Sequence, residues 1–304
     1  MSAGVLSSGA IAFRRHGQGP ARVLLLHALT GSPDAADRDG VKGWWGPLFT
    51  SDAPLAADAC TVWTPNLPGS CYGSATVAAI TARDQATALA AWIEAENLRF
   101  DLLTGGSLGG MVALELALLA PTRFGAVGVI GCGGRSDAWV RGQVHAERRV
   151  LESALPDAEA IALARRFAML SFRAPRGLGA RFTQDGIEAW LDHHGSALAS
   201  RFTRVSYHAL LGAMATHDIG RERGGLVPAL KGLKCPLHVL GIDTDSLFAP
   251  ALIRELAEAA RRAGRFGSLR WLHSPHGHDA FLLEWPQVSA WLDYLLALPH
   301  PELP

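Results

Sequence analysis

The segment Thr104-Gly105-Gly106-Ser107-Leu108-Gly109-Gly110 lies between an apolar run and the start of an apolar helical stretch. That is the setting of a Gly-x-Ser-x-Gly nucleophile elbow, where a sharp strand-to-helix turn pushes the serine out at the carboxyl end of a sheet. Side chains beside the serine would clash, and Gly105, Gly106, Gly109 and Gly110 supply the small neighbours required. Glycine-rich turns of this kind also serve as packing devices or phosphate loops, so the pattern takes its meaning from partners elsewhere.

A serine nucleophile needs a base to take its proton and a carboxylate to orient that base. After such an elbow they come in chain order, acid first and histidine second. Pro236 to Ile242 reads as a buried strand with Asp243-Thr244-Asp245-Ser246 just past its end. Ser268 to Leu272 reads as another, followed by His273-Ser274-Pro275-His276-Gly277-His278-Asp279-Ala280-Phe281. A residue right at a strand end more often turns its side chain into the loop, which favours Asp245 over Asp243 as the orienting acid. Of His273, His276 and His278, the last follows Gly277 and precedes an apolar helix-like stretch, so it can reach back across the top of the sheet. A lone loop histidine is more often a satisfied polar group than a base. The ordered occurrence of elbow, acid loop and histidine loop reverses that expectation for Ser107, Asp245 and His278.

These loops must be held at one edge of a sheet. Strands are expected at Val23 to Leu26, Thr61 to Trp63, Phe100 to Leu103 and Ala126 to Ile130, with helices such as Gln85 to Glu94 and Met111 to Leu119 between them. That alternation is the signature of a mostly parallel α/β sheet covered by helices on both faces. It breaks after Gly131. From about Ser136 to Gly225 the chain is rich in Arg, His and Ala at helical spacing, as in Ile161 to Leu170 and Tyr207 to Ala215, and it resumes alternating at Pro236. The expected organisation is an α/β-hydrolase fold whose core spans residues 1–135 and 226–304, with residues 136–225 inserted as a helical cap. The first expected strand ends in His27-Ala28-Leu29-Thr30-Gly31-Ser32, where that fold places an oxyanion-hole donor. The backbone N–H groups of Leu29 and Leu108 are the two candidates for that hole.

Composition narrows the function classes. With 304 residues and 49% hydrophobic content the chain can bury a large core, and its formal net charge is zero. No global field therefore favours nucleic acid or an acidic membrane surface, and no basic run carries interleaved aromatics. No stretch approaches a membrane span, and Met1 to Ser7 lacks the charged and apolar regions of a signal peptide. Cys60, Cys71, Cys132 and Cys235 are scattered, which fits reduced thiols in the cytoplasm. His193-His194 and His217-Asp218 are the best local metal-ligand candidates, but neither brings a second matched pair, so no metal is expected.

Several blocks carry a resemblance. They are His27 to Gly31, Gly43-Trp44-Trp45, Asn66 to Ser74 and Gly105 to Met111, then Arg201-Phe202 with Ser206-Tyr207, His217 to Gly225, Asp243 to Phe248, and Gly277 to Leu282. Taken in order over nearly the whole chain, they resemble the homoserine O-acetyltransferase family of α/β hydrolases. The resemblance implies acetyl transfer from acetyl-CoA, a co-substrate rather than a bound cofactor, to the side-chain hydroxyl of L-homoserine in methionine biosynthesis. It implies a serine acyl-enzyme between two half-reactions, with Ser107, Asp245 and His278 matching the triad, and it suggests a homodimer. It further matches Arg165 to an arginine that holds the substrate carboxylate and Asp279 to an aspartate that holds its ammonium. A guanidinium fork suits a carboxylate, and Arg166 is a close rival on sequence alone. Two departures matter. Phe172 stands where the family usually carries Tyr, and the segment after Ser74 is cut down to Ala75 to Thr81. These leave the acceptor open between homoserine, serine and water and leave the triad untouched; the donor stays open, separately, between acetyl and succinyl.

Overall fold

The computed structural model describes the backbone of residues 6–8 and residues 11–73, 79–182 and 186–299 in full. Eight strands form one sheet: β1 (Leu6–Ser8), β2 (Ile11–His16), β3 (Ala21–Leu26), β4 (Cys60–Pro65), β5 (Phe100–Gly106), β6 (Phe124–Ile130), β7 (Leu237–Ile242) and β8 (Phe266–Leu272). Their order is β1-β2-β4-β3-β5-β6-β7-β8. From β4 to β8 every pairing is parallel, and β1 and β2 form an antiparallel edge. Parallel strands covered on both faces read as continuous apolar runs. In β3, Leu24 and Leu26 join one hydrophobic core while Val23 and Leu25 join the other, as the period of two requires.

Helices α1 (Ala82–Ala95) and α2 (Leu108–Leu119) contribute Leu89, Trp92, Met111 and Leu114 to the first core. Between β6 and β7 the chain runs through α3 (Ala138–Leu151), α4 (Asp157–Phe172), α5 (Pro175–Arg181), α6 (Gly186–Ala199), α7 (Arg204–Thr216) and α8 (Leu226–Leu230). No named strand interrupts these helices among the described residues; one isolated bridge joins Arg135 to Asp218. Side chains of Asp137 and Thr203 accept hydrogen bonds from Val140 and Ser206 at the starts of α3 and α7, satisfying helix-terminal donors. Helix α9 (Pro250–Arg262) joins the first core, and α10 (Trp285–Leu296) packs Trp291, Leu292 and Leu295 into the second. Among the described residues no helix is long and apolar enough to cross a membrane.

The expected strands and named helices are all present, and most are longer than expected. The strand ending at His27 is the third, not the first. β2 escapes a sequence reading because its Ile-Ala-Phe-Arg-Arg-His has charge at mid-strand, and what holds it is pairing with the distant β4, Phe13 opposite Pro65 and His16 opposite Val62. The trimmed segment is only partly visible, since Ala75 to Ala78 lie outside the described residues, as do Met1 to Val5.

Candidate active site

Ser107 sits between the last residue of β5 and the first of α2, with φ 56° and ψ −125°. A non-glycine residue in that region costs on the order of 1–3 kcal/mol, and the surroundings must impose it. They do so by close approach. A Cβ on Gly109 would lie 2.3 Å from the Leu26 carbonyl oxygen, and one on Gly105 would lie 2.7 Å from the backbone of Gly109. The Ser107 N–H donates to the Ile130 carbonyl at 2.9 Å, tying the turn to β6.

Ser107 Oγ stands 2.9 Å from His278 Nε2, and His278 Nδ1–H donates to Asp245 Oδ2 at 2.7 Å. The other carboxylate oxygen of Asp245 accepts the N–H groups of Leu247 and Phe248 at 2.9 Å each, and the side chain has no solvent contact. Burial alone would lower the pKa of His278, but the charge and hydrogen bond of Asp245, with a further contribution from Asp279, outweigh it and hold the imidazole above its usual value. Phe172, Phe248 and Phe281 surround the ring at centroid distances of 5.8, 5.3 and 5.7 Å. Trp45 donates to the Phe281 carbonyl at 2.9 Å and so braces the 3-10 turn Gly277–Leu282 that carries His278.

Asp243 and His273 are occupied with each other. Asp243 accepts from His273 Nδ1–H at 2.9 Å and from the Ser274 N–H at 3.2 Å, turned into the loop as a strand-end residue should be. The backbone N–H of His276 donates to Ser274 Oγ. Burial pushes the Cys132 thiol well up, so it carries no thiolate to compete with Ser107.

Leu29 lies in a tight turn closed by Gly31 N–H to the Ala28 carbonyl at 2.9 Å, and Leu108 is the first residue of α2, where an amide has no helical acceptor. His27 fixes that turn. Burial lowers its pKa to about 4, leaving it neutral, with Nδ1–H donating to the Ala28 carbonyl at 2.8 Å and Nε2 accepting from the Leu67 N–H at 3.0 Å. Arg201 donates to the Thr30 carbonyl at 2.8 Å from the side of the α6–α7 connection.

The remaining two expected residues are near the triad in different ways. Arg165 lies over the ring of Phe172, 5.1 Å from its centroid, and is close enough to Tyr207 to act on it electrostatically. Its rival Arg166 is instead paired with Asp192 at 2.7 Å. Asp279 is internal to the 3-10 turn, and its Oδ2 forms an ion pair with Arg173 Nε at 3.0 Å. Sequence reasoning missed Arg173. Burial pulls its pKa below the ordinary guanidinium value despite Asp279. The signal was available only as adjacency, because Arg173 directly follows Phe172.

For metals, among the described residues no group of three or more His, Cys, Asp or Glu is placed to hold an ion. His217 Nε2–H donates to the Gly133 carbonyl at 3.0 Å, and His194 packs on Trp190 with its pKa lowered to about 4, first by burial and then by nearby arginines.

The chain matches the α/β hydrolase family over residues 23–291. A homoserine O-acetyltransferase from Thermus thermophilus is 37% identical over 313 residues, covering 90% of this chain and 81% of that protein. The chain belongs to the homoserine O-acetyltransferase family of α/β hydrolases. Among solved structures, the homoserine O-acetyltransferase from Staphylococcus aureus superposes with a TM-score of 0.83 at 26% identity, over 95% of this chain and 89% of that one. An acetylester hydrolase from Corynebacterium glutamicum superposes with a TM-score of 0.77 at 16% identity, over 95% and 90% of the two chains, a likeness of fold alone. The fold class and the family resemblance read from the sequence both hold.

Proposed function

We propose that this protein transfers an acetyl group from acetyl-CoA to the side-chain hydroxyl of L-homoserine through an acetyl-Ser107 intermediate, a step of methionine biosynthesis. The observation carrying this reading is the unbroken relay Asp245 to His278 to Ser107 on a strained elbow, in a chain of this family.

In the first half-reaction His278 Nε2 takes the Ser107 proton as Oγ attacks the thioester carbonyl. The tetrahedral oxyanion accepts the N–H groups of Leu29 and Leu108, whose positions are fixed before substrate arrives. The C–S bond breaks as His278 gives that proton to the departing sulfur, CoA leaves as the free thiol, and the acetyl group stays on Ser107 with His278 neutral again. In the second, the homoserine hydroxyl gives its proton to His278 and attacks the ester, and Ser107 leaves with that proton. Asp245 stabilises the imidazolium formed in both steps. Arg165 receives the acceptor carboxylate and Asp279, already neutralised in part by Arg173, shares itself with the ammonium. Residues 136–225 act as the cap that supplies Arg165, while residues 1–135 and 226–304 hold the triad and the oxyanion turn.

The test is CoA release from acetyl-CoA with homoserine, serine or no added acceptor. Homoserine should accelerate release well above the other two and yield O-acetylhomoserine; equal rates in all three arms would make the protein an esterase.

A further inference from the structure

Three helices of the 136–225 segment bring one polar side chain each to a shared point: Glu147 from α3, Arg165 from α4 and Tyr207 from α7. Tyr207 and Glu147 are 0% and 2% exposed. The Tyr207 hydroxyl donates to Glu147 Oε2 at 3.1 Å, and the Arg165 guanidinium lies close enough to act electrostatically on both groups. The same guanidinium lies over Phe172, and that ring packs on His278. Arg165 therefore has two neighbours, the buried phenol and the face of Phe172, and it stands one ring away from the base.

We infer that Tyr207 and Glu147 are positioning residues that hold the Arg165 guanidinium toward the acceptor carboxylate; this rests on the acceptor reading above. The charge state of the trio suits the task. Burial pushes the Glu147 carboxyl up to about 8, against the smaller lowering effects of Tyr207 and Arg165, so it is protonated at neutral pH. A protonated acid accepts the tyrosine hydrogen bond without neutralising Arg165. The neighbouring arginines are different: Arg166 and Arg173 are paired with Asp192 and Asp279. Among the described residues, no carboxylate forms an ion pair with Arg165, so its charge is left for a ligand.

The groups turned toward Glu147 are Tyr207 from α7 and Arg165 from α4. Arg148, His208 and Glu152 on the same helices bond one another instead. When pH rises through about 8, Glu147 gains a negative charge that competes for Arg165 with the acceptor. The homoserine KM of the wild type should then rise, while that of Glu147→Gln, which keeps a carbonyl acceptor and cannot ionise, should rise only by the share due to homoserine itself.

The experiment measures acetyl-enzyme formation and homoserine KM separately. Tyr207→Phe, which removes the polar oxygen beside Arg165, should raise the homoserine KM about tenfold, with the acetyl burst within about twofold of wild type. In an Arg165→Ala background the same substitution should change nothing further. Glu147→Gln should match wild type at pH 7 and depart from it at pH 9. A burst slowed as much as KM is raised, an undiminished Tyr207→Phe effect without Arg165, or identical pH profiles for Glu147→Gln and wild type would overturn the inference. An unchanged homoserine KM in Arg165→Ala alone would instead refute the acceptor reading on which it rests.

Discussion

Asp245→Asn exchanges one atom and is expected to remove nearly all turnover. Asp245 Oδ1 accepts two backbone N–H groups at 2.9 Å each, and Oδ2 accepts His278 Nδ1–H at 2.7 Å. In the variant the amide oxygen must stay on the two backbone donors, since turning the NH2 toward them would bury donors against donors. The NH2 then faces His278 Nδ1, which has to become an acceptor. The ring proton moves to Nε2 and points at Ser107 Oγ, 2.9 Å away, so the nitrogen that should take the serine proton already carries one. The same exchange in serine protease triads lowers kcat about 10⁴-fold, or about 5.5 kcal/mol of transition-state stabilisation. The pinning of Oδ1 by two donors predicts a loss of the same order here. The imidazole pKa should also fall, because the carboxylate that offsets burial is gone, and the acid limb of the residual activity should move to lower pH. By linkage, raised-pKa His278 lends the wild type stability that is fully present below about pH 6.5 and lost as pH rises through its folded value; the variant should lack that dependence. Rapid-quench measurement of CoA release across pH, with thermal melts, reads all three effects. A loss of less than about 100-fold, or an acid limb that stays in place, would refute the tautomer argument. Asp243→Asn, whose carboxylate bonds the exposed His273, should stay within about twofold of wild type.

Arg165→Ala and Asp279→Ala should leave the acetyl burst intact and lower kcat/KM for homoserine at least about 100-fold, because a desolvated ammonium or carboxylate loses its partner; stopped-flow CoA release against product formation separates the two half-reactions. Gly109→Ala should destabilise the fold by about 3 kcal/mol or prevent it, since its Cβ would meet the Leu26 carbonyl at 2.3 Å; an unchanged melting temperature would contradict the elbow geometry. Glu115→Leu should cost about 3 kcal/mol, the low end for a buried pair given partly exposed partners. It leaves the Arg223 guanidinium, 2.8 Å from the carboxylate, without its acid, and Arg83, 3.2 Å away, with only the exposed Glu222; urea unfolding reads the loss.

The elbow was legible because its chemistry and its backbone demand the same residues: a strained turn between an apolar strand and an apolar helix leaves room only for glycine around Ser107. Asp245 was legible over Asp243 through the same local logic, a strand-end side chain turning into its loop. The histidine loop followed from chain order, and His278 within it from its place between Gly277 and an apolar stretch. What lay out of reach was pairing across long sequence separations. Nothing near Asp279 in the chain announces Arg173, and nothing in Arg-Val-Ser-Tyr-His announces that Tyr207 meets Glu147 inside the helical segment. β2 was hidden for the same reason, because its place at the sheet edge depends on β4 rather than on its own alternation.

An acetyl group carried by Ser107 and passed on to homoserine is the centre of the proposed chemistry. Intact-protein and peptide mass spectrometry after brief mixing with acetyl-CoA should locate an acetyl adduct on Ser107, absent in Ser107→Ala, that vanishes on adding homoserine as an equal amount of O-acetylhomoserine is formed. An adduct on another residue, undiminished turnover in Ser107→Ala, or an adduct lost to water at the same rate with and without homoserine would contradict it.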